Sequence, residues 1–286
     1  MIKVLDNDHR VGKTIAYQNT VLNTLQNDEG SPCVQFYLGP CNQYKCFEVS
    51  NKDRLSSIDY ANKWDKTFYV HCPNNTNLAR DPSHYIVSGT TKIIRKELHQ
   101  IRDMPGSCIV HIGAKGTLSN VVRNINNIGV VRGTHERMRK QLILENSAGA
   151  GTTLGRDWEE LRHIFEGIDK NTIGLCIDTQ HLFGAGTNPL HTHDNVVDMF
   201  DKVEEVYGKH PDVIHLNDSK IPYKDRKDRH WSIGHGYIWS EEKEGLKTLL
   251  DRCYEKRIDV ILETPTSKRD LTLIRTKYMD LETIQV

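Results

Sequence analysis

The chain has no long hydrophobic run. None of its 286 residues lies in a stretch approaching the roughly 18 apolar positions of a membrane span, so no transmembrane helix is expected. It does not open on a charged-then-apolar signal pattern, which argues against secretion and for a protein of the cytoplasm or nucleus. It has no excess of charge of either sign: Lys plus Arg is 38 and Asp plus Glu is 38. A bulk electrostatic grip on nucleic acid is therefore not evident, although local patches decide such binding. Carboxylates committed to metal ions lose their effective charge, so the count understates how positive a metal-loaded face would be. The seven cysteines (Cys33, Cys41, Cys46, Cys72, Cys108, Cys176 and Cys253) are scattered, odd in number and form no C-x-x-C. That argues against a structural zinc finger and reads instead as small core residues. Cys41 and Cys46 lie close in an expected loop, where pairing is left open. There is no internal repeat, low-complexity segment or Pro/Gly-rich linker.

What is present is an alternation. Short apolar runs read as buried strands near 3–5, 33–38, 67–71, 108–112, 141–145, 173–178, 212–216 and 259–263. Amphipathic, helical segments lie between them, at 92–103, 119–127, 157–168, 195–208 and 241–256. Such an alternation predicts an α/β fold, a single (β/α)8 TIM barrel occupying residues 1–286. A doubly wound open sheet is the competing pattern, but no G-x-G-x-x-G follows the first strand. That first strand is the weakest, because Asp6 to Arg10 is unusually polar for a strand exit.

The runs end in an unusual way. Successive strands close on His71, His111, Glu145, Asp178, His215 and Glu263. Parallel strands in a barrel bring their C-terminal ends to one face, so these side chains should converge there. The following loops extend the set with His181, Asp228 and His230, making five histidines and four carboxylates. A lone strand-end His is ordinarily a hydrogen-bonded core or loop residue. Nine such residues at one face are not explained that way. Imidazole suits zinc, and carboxylates can bridge two ions. The set exceeds what one tetrahedral zinc takes and fits two or three ions sharing a carboxylate. Ion clusters of that kind stabilise both the attacking and the leaving oxygen in phosphoryl displacement. His191 and His193 read as an exposed loop.

Longer segments carry a resemblance. Leu175-Cys176-Ile177-Asp178-Thr179-Gln180-His181 is similar to C-I-D-T-C-H. His215-Leu216-Asn217-Asp218-Ser219-Lys220 is similar to H-L-N-D-[SA]-K. Asp228-Arg229-His230 with Ser232-Ile233-Gly234-His235-Gly236 is similar to D-R-H-x-S-[LI]-G-x-G. Leu262-Glu263-Thr264-Pro265 is similar to L-E-T-P. Glu145-Asn146-Ser147-Ala148-Gly149 with Leu154-Gly155 is similar to E-N-T-A-G-x-G-x-x-L-G. Together they resemble the endonuclease IV family of apurinic/apyrimidinic endonucleases (AP endonuclease family 2).

The resemblance implies three zinc ions, with manganese the alternative at one of them. His71, His111 and Glu145 would hold the first. Glu145 would bridge to the second, held also by Asp178, His215 and Glu263. His181, Asp228 and His230 would hold the third. Glu145 and Glu263 would be the catalytic carboxylates beside the nucleophile. The implied activity is hydrolysis of the phosphodiester 5′ to an abasic site in double-stranded DNA, leaving a 3′-hydroxyl and a 5′-deoxyribose phosphate. Cleaning of blocked 3′ ends, and a monomeric protein, are expected beside it. The sequence departs from the bacterial members where an arginine, and a tyrosine-leucine pair, push into DNA. Here Cys41 lies near the arginine position and Asn74 and Asn75 near the pair, with Tyr37 and Tyr44 as candidate substitutes. Lys220, Arg226, Lys227 and Arg229 bracket two expected ligands and are candidate phosphate contacts. The competing readings are a metal-dependent sugar isomerase or epimerase on the same barrel, and a non-catalytic nucleic-acid-binding protein on that scaffold.

Overall fold

The computed structural model describes residues 9–28, 30–131, 133, 140–239 and 244–279. Eight parallel strands close into a barrel. They are β1 (Val11–Thr14), β2 (Cys33–Phe36), β3 (Thr67–His71), β4 (Gly106–His111), β5 (Leu142–Glu145), β6 (Ile173–Asp178), β7 (Val213–Leu216) and β10 (Asp259–Leu262). Each pairs with its neighbours, and β1 pairs with β10 through Val11↔Val260 to complete the ring. A two-stranded antiparallel ribbon, β8 (Asp218–Ser219) with β9 (His230–Trp231), stands on the loop after β7. The helices between strands are α1 (Val21–Gln26), α2 (Asn51–Lys63), α3 (Tyr85–Gln100), α4 (Leu118–Ile128), α5 (Trp158–Glu166), α6 (Thr179–Ala185), α7 (His193–Tyr207), α8 (Gly245–Lys256) and α9 (Ser267–Lys277). No helix among the described residues is long and apolar enough to cross a membrane.

Seven of the expected barrel strands are found where their apolar runs placed them. The strand expected at 3–5 lies outside the described residues, and the ring's first place is taken by β1. Val11-Gly12-Lys13-Thr14 has one large apolar residue and no alternation, so periodicity passes over it. Its glycine answers a close approach: a Cβ on Gly12 would meet the Cys33 carbonyl oxygen at 1.8 Å. Lys13 reads as a surface residue yet is 7% exposed, with its amine 3.9 Å from the Asp28 carboxylate. α3 begins at Tyr85 rather than 92, because the His84 side chain accepts from the Ile86 amide and starts the helix about two turns early. Of the segment expected at 241–256, α8 begins at Gly245, and 241–243 lie outside the described residues.

The pleat divides the apolar residues into two cores. Cys33, Tyr69, Ile109, Ile143, Cys176, Val213 and Ile261 face inward and fill the barrel. A larger set, including Val34, Phe36, Val70, Leu144 and Ile214, faces the surrounding helices. The floor is polar and closed. Arg10 pairs with Asp259, and its guanidinium also donates to Thr67 Oγ1 at 2.8 Å. Tyr69 donates to Asp259 from inside the barrel at 2.8 Å. Side chains pointing to the opposite end of the strands meet at the mouth.

Candidate metal centre

At the ends of these strands a polar residue stands two residues past the last inward apolar one. His71 follows the inward Tyr69 by two residues, and His111 likewise follows Ile109, Glu145 follows Ile143 and Glu263 follows Ile261. The period of two thus aims all four at the same space. Register sets their heights: His111 pairs with Glu145, and Asp178 with His215.

Glu145 is the hub. Its side chain is fully buried, with Oε2 3.2 Å from His71 Nε2 and 3.5 Å from His111 Nδ1. Its Oε1 lies 3.0 Å from His215 Nδ1 and 3.5 Å from His181 Nδ1. His215 Nδ1 is also 3.2 Å from Glu263 Oε2. Farther across the mouth, His230 Nε2 lies 3.5 Å from Asp178 Oδ2 and 3.2 Å from Asp228 Oδ1, and His181 Nε2 is 3.4 Å from Asp228 Oδ2. The donor atoms fall into overlapping groups, each within 4.8 Å: His71, His111 and Glu145; Glu145, Asp178, His215 and Glu263; and Asp178, His181 and His230. Asp178 thus reaches toward the third group, where Asp228 also faces both histidines.

The residues present fit metal ions. Buried nitrogens ordinarily find partners, yet Nε2 of His181 and of His230 is buried without a hydrogen-bond partner. Both nitrogens face carboxylate oxygens across a gap rather than along a hydrogen bond. The opposite ring nitrogens are fixed by backbone carbonyls: His181 Nδ1 by Asn146 O at 2.9 Å and His71 Nδ1 by Cys72 O at 2.7 Å. A His held by one nitrogen presents the other as a lone pair, as metal-bound histidines do. Asp178 Oδ1 caps α6 by accepting from the His181 amide at 2.9 Å, and Oδ2 accepts from Asn217 Nδ2 at 2.7 Å. One carboxylate therefore both starts the helix that carries His181 and faces the gap.

Without a cation, the carboxylates hold protons on the imidazoles. Burial opposes charge on His230, but Asp178, Asp228 and Glu263 outweigh it and lift the ring to about 9. Against the same burial, Asp178 and Asp228 lift His181, and Cys176 with Glu263 and Glu145 lifts His215, while burial keeps His111 below its ordinary value. Burial resists charge on Glu263 as well, yet His215 holds its carboxyl down to about 2.

Sequence reasoning missed Gln35. It sits inside β2, fully buried, and joins three groups of the site. Its amide nitrogen donates to Glu263 Oε1 and, at 3.1 Å, to Thr14 Oγ1, while its oxygen lies 2.9 Å from His215 Nε2. A buried glutamine in an apolar strand was the available signal. Asp218 was also given no role of its own. Its carboxylate accepts from the backbone amides of Ser219, Gly234, Gly236, Ile238 and Trp239. That explains Gly236 of S-x-G-x-G, since a Cβ there would meet Asp218 Oδ1 at 2.4 Å, while Gly234 is required by its φ of +79°.

The mouth encloses about 360 Å³, lined by Thr14, Tyr37, Asn74 and Ser267 besides every candidate ligand except Asp178 and His215. Asn74 accepts from the Tyr37 hydroxyl at 2.9 Å, and the Tyr37 ring lies 5.0 Å from that of His71. Cys41 sits on the same rim, its carbonyl accepting from the Asn74 amide at 2.7 Å. Asn75 accepts through its carbonyl from the Tyr44 hydroxyl at 2.8 Å. Of the expected cations, Lys220 lies 4.6 Å over the Trp231 ring and Lys227 is 2.8 Å from Asp225. Arg229 folds back onto the Asp228 carbonyl at 2.6 Å. Arg226 is exposed and donates only its backbone amide, to Gly184 O, among the bonds seen here.

Comparison with known proteins bears on this arrangement. The chain is 27% identical over 284 residues to a probable endonuclease 4 of Aquifex aeolicus, covering 94% of this chain and 98% of that one. It is 32% identical over 202 residues to the probable endonuclease 4 of Staphylococcus saprophyticus, covering 68% and 66%. The crystal structure of endonuclease IV from Thermus thermophilus superposes with a TM-score of 0.79 at 19% identity, over 95% of this chain and 99% of that one. A family model described as a xylose isomerase-like TIM barrel matches residues 30–279. With its closed barrel and its histidines and carboxylates gathered at one mouth, the chain belongs to AP endonuclease family 2, among the endonuclease IV proteins.

Proposed function

We propose that this protein is a DNA-repair endonuclease that hydrolyses the phosphodiester 5′ to an abasic site with three zinc-class ions. The observation that carries the reading is the third donor group. His181 and His230 present unpartnered buried nitrogens toward Asp228 and Asp178, beyond the two groups built on Glu145. A sugar isomerase or epimerase on this barrel needs fewer ions and leaves that group without a purpose. His71, His111 and Glu145 would hold one ion; Glu145, Asp178, His215 and Glu263 the second; His181, Asp228 and His230 the third. When bound, such ions act as Lewis acids, bring the pKa of water toward about 7 and offset charge on a phosphodiester. Glu145 and Glu263 would flank the attacked phosphorus and fix the geometry of the mouth. Tyr37 and Asn74, joined at the rim, would bound the space for the abasic sugar. Gln35 keeps His215 protonated on Nε2, so that Nδ1 faces the site.

At the rim, Asn74 and Asn75 stand near the places of the family's wedge pair, and the candidate substitutes Tyr37 and Tyr44 spend their hydroxyls on these two asparagines. Apolar side chains wedge between bases, and Asn74 and Asn75 do so poorly. The preferred substrate is then an abasic site in duplex already loosened by a mismatch or nick, or a blocked 3′ end. The test is incision of a labelled duplex bearing one abasic analogue, in stable and in mismatched contexts. Incision 5′ to the lesion, faster in the mismatched duplex and absent from folded Glu145→Ala and Glu263→Ala, is the expected result. Incision undiminished in those folded variants would refute the assignment.

A further inference from the structure

Behind β3 and β4, facing α3 instead of the mouth, Cys72, Glu97 and Cys108 bring three donor atoms within 4.8 Å of one another. All three are buried, at 0%, 1% and 0% exposure. The pleat explains the pairing of thiols. His71 faces the mouth, so the next residue, Cys72, turns outward. Cys108 pairs with Val70, two residues before Cys72, and so shares its face. The Cys72 amide donates to Ile109 O at 2.8 Å, which extends the β3–β4 ladder through this point. Glu97 enters from α3, among Ile93, Ile94 and Ile101 of the same apolar layer.

A carboxyl group is out of place in that layer. Glu97 Oε2 is buried without a hydrogen-bond partner. Leaving such an atom unpaired is costly, more so when it is charged. Burial pushes the carboxyl up to about 7. The thiol of Cys46, 5% exposed, lies close enough that Glu97 is the foremost charge acting on it.

We propose that Cys72, Glu97 and Cys108 form a second metal site, for a soft divalent cation of the zinc class, in which the protein supplies three donors. Thiolates select such ions, and two thiolates with a carboxylate supply three of the four tetrahedral positions, leaving the fourth to water. Metal–donor bonds of about 2.0–2.3 Å put tetrahedral donors roughly 3.3–3.8 Å apart, within reach of a small closure of atoms that already lie within 4.8 Å of one another. The thiols release their protons to solvent as the ion enters, and the orphan oxygen of Glu97 gains a partner. The site would tie α3 to the end of β3, one residue from His71. It is separate from the mouth, whose candidate ligands include no sulfur.

That difference supplies the test. The whole protein is stripped of metal and reloaded with cobalt(II), whose thiolate charge-transfer absorption requires a bound sulfur. The expected result is such a band in the wild type and its loss in Cys72→Ser and Cys108→Ser. Glu97→Gln should weaken cobalt binding at this site about tenfold or more. Elemental analysis of folded Cys108→Ser should find about one ion per chain fewer than in wild type. Cys176→Ala, which removes the thiol beside His215 inside the barrel, should keep the band. No band in cobalt-loaded wild type, or a band that disappears with Cys176, would overturn the proposal. The wild-type spectrum decides even where a serine variant does not fold.

Discussion

Gln35 is the residue on which the mouth's geometry turns. It donates to Glu263, meets His215 Nε2 and reaches Thr14 with one amide. Gln35→Leu keeps the shape and removes all three bonds. It should lower zinc affinity or turnover about 10–100-fold, the usual scale for groups that orient metal ligands. Zinc titration by competition with a chromophoric chelator measures this; an unchanged affinity and rate would remove Gln35 from the site. Six of the candidate ligands were legible because each is a polar residue ending an apolar run, a pattern that survives without coordinates, and His181, Asp228 and His230 followed from the loops behind those runs. Gln35 was not, because inside a strand a lone glutamine looks the same whether it faces a helix or a histidine. Asp218 was overlooked for a related reason. Its partners are backbone amides, which leave no mark in the side-chain sequence except Gly236, which makes room.

At the scale of elements, Asp218 governs the excursion from β7 through the β8–β9 ribbon to Trp239. Its two oxygens take five backbone amides. The same excursion carries Asp228 and His230. Asp218→Ala leaves buried donors unsatisfied, which should cost at least about 2 kcal/mol and lower Tm by roughly 4–8 °C. Ligand loss should follow selectively, with the Asp228–His230 group emptied before the groups on Glu145. Melting curves and metal content of the variant test both parts, and full metal content would separate the ribbon from the site. The alternation of strand and helix made seven barrel strands readable. β1 escaped because closing the ring needed a glycine at a crowded seam and a lysine turned inward, neither of which is a strand signal. α2 and α9 are so rich in polar residues that no apolar stripe announced them.

For the molecule as a whole, floor and mouth divide the work. Stability rests on the barrel's two cores and on the Arg10–Asp259–Thr67–Tyr69 network below them. Asp259→Ala strands a buried guanidinium and should cost about 3–5 kcal/mol, while incision per folded molecule stays unchanged. Denaturant unfolding beside an activity assay on the soluble fraction would show it. The mouth makes the opposite contribution to pH dependence with and without metal. In the stripped protein His230, raised from 6.5 to about 9, stabilises fully below 6.5, and that stability is lost as pH rises through 9. Glu263, lowered from 4.5 to about 2, stabilises above 4.5 and loses this as pH falls through 2. The chelated protein should therefore be most stable between these limits and should melt lower at pH 9 than at pH 6. Zinc should reverse the trend, since protons compete with it for the same imidazoles. Thermal melts at both pH values, with and without chelator, check the sign, and a zinc-induced rise in Tm that is larger at pH 6 than at pH 9 would contradict it.

The central claim is that the nine gathered side chains form a metal centre that cuts DNA beside a missing base. The most direct measurement adds zinc back to chelator-stripped protein while following incision of a duplex with one abasic analogue. The account predicts no incision at the start, a rise with added zinc, and a plateau at about three equivalents per chain beyond any taken up by the thiol site. Incision by the fully stripped protein, or a zinc-saturated protein that leaves the abasic strand intact, would contradict it.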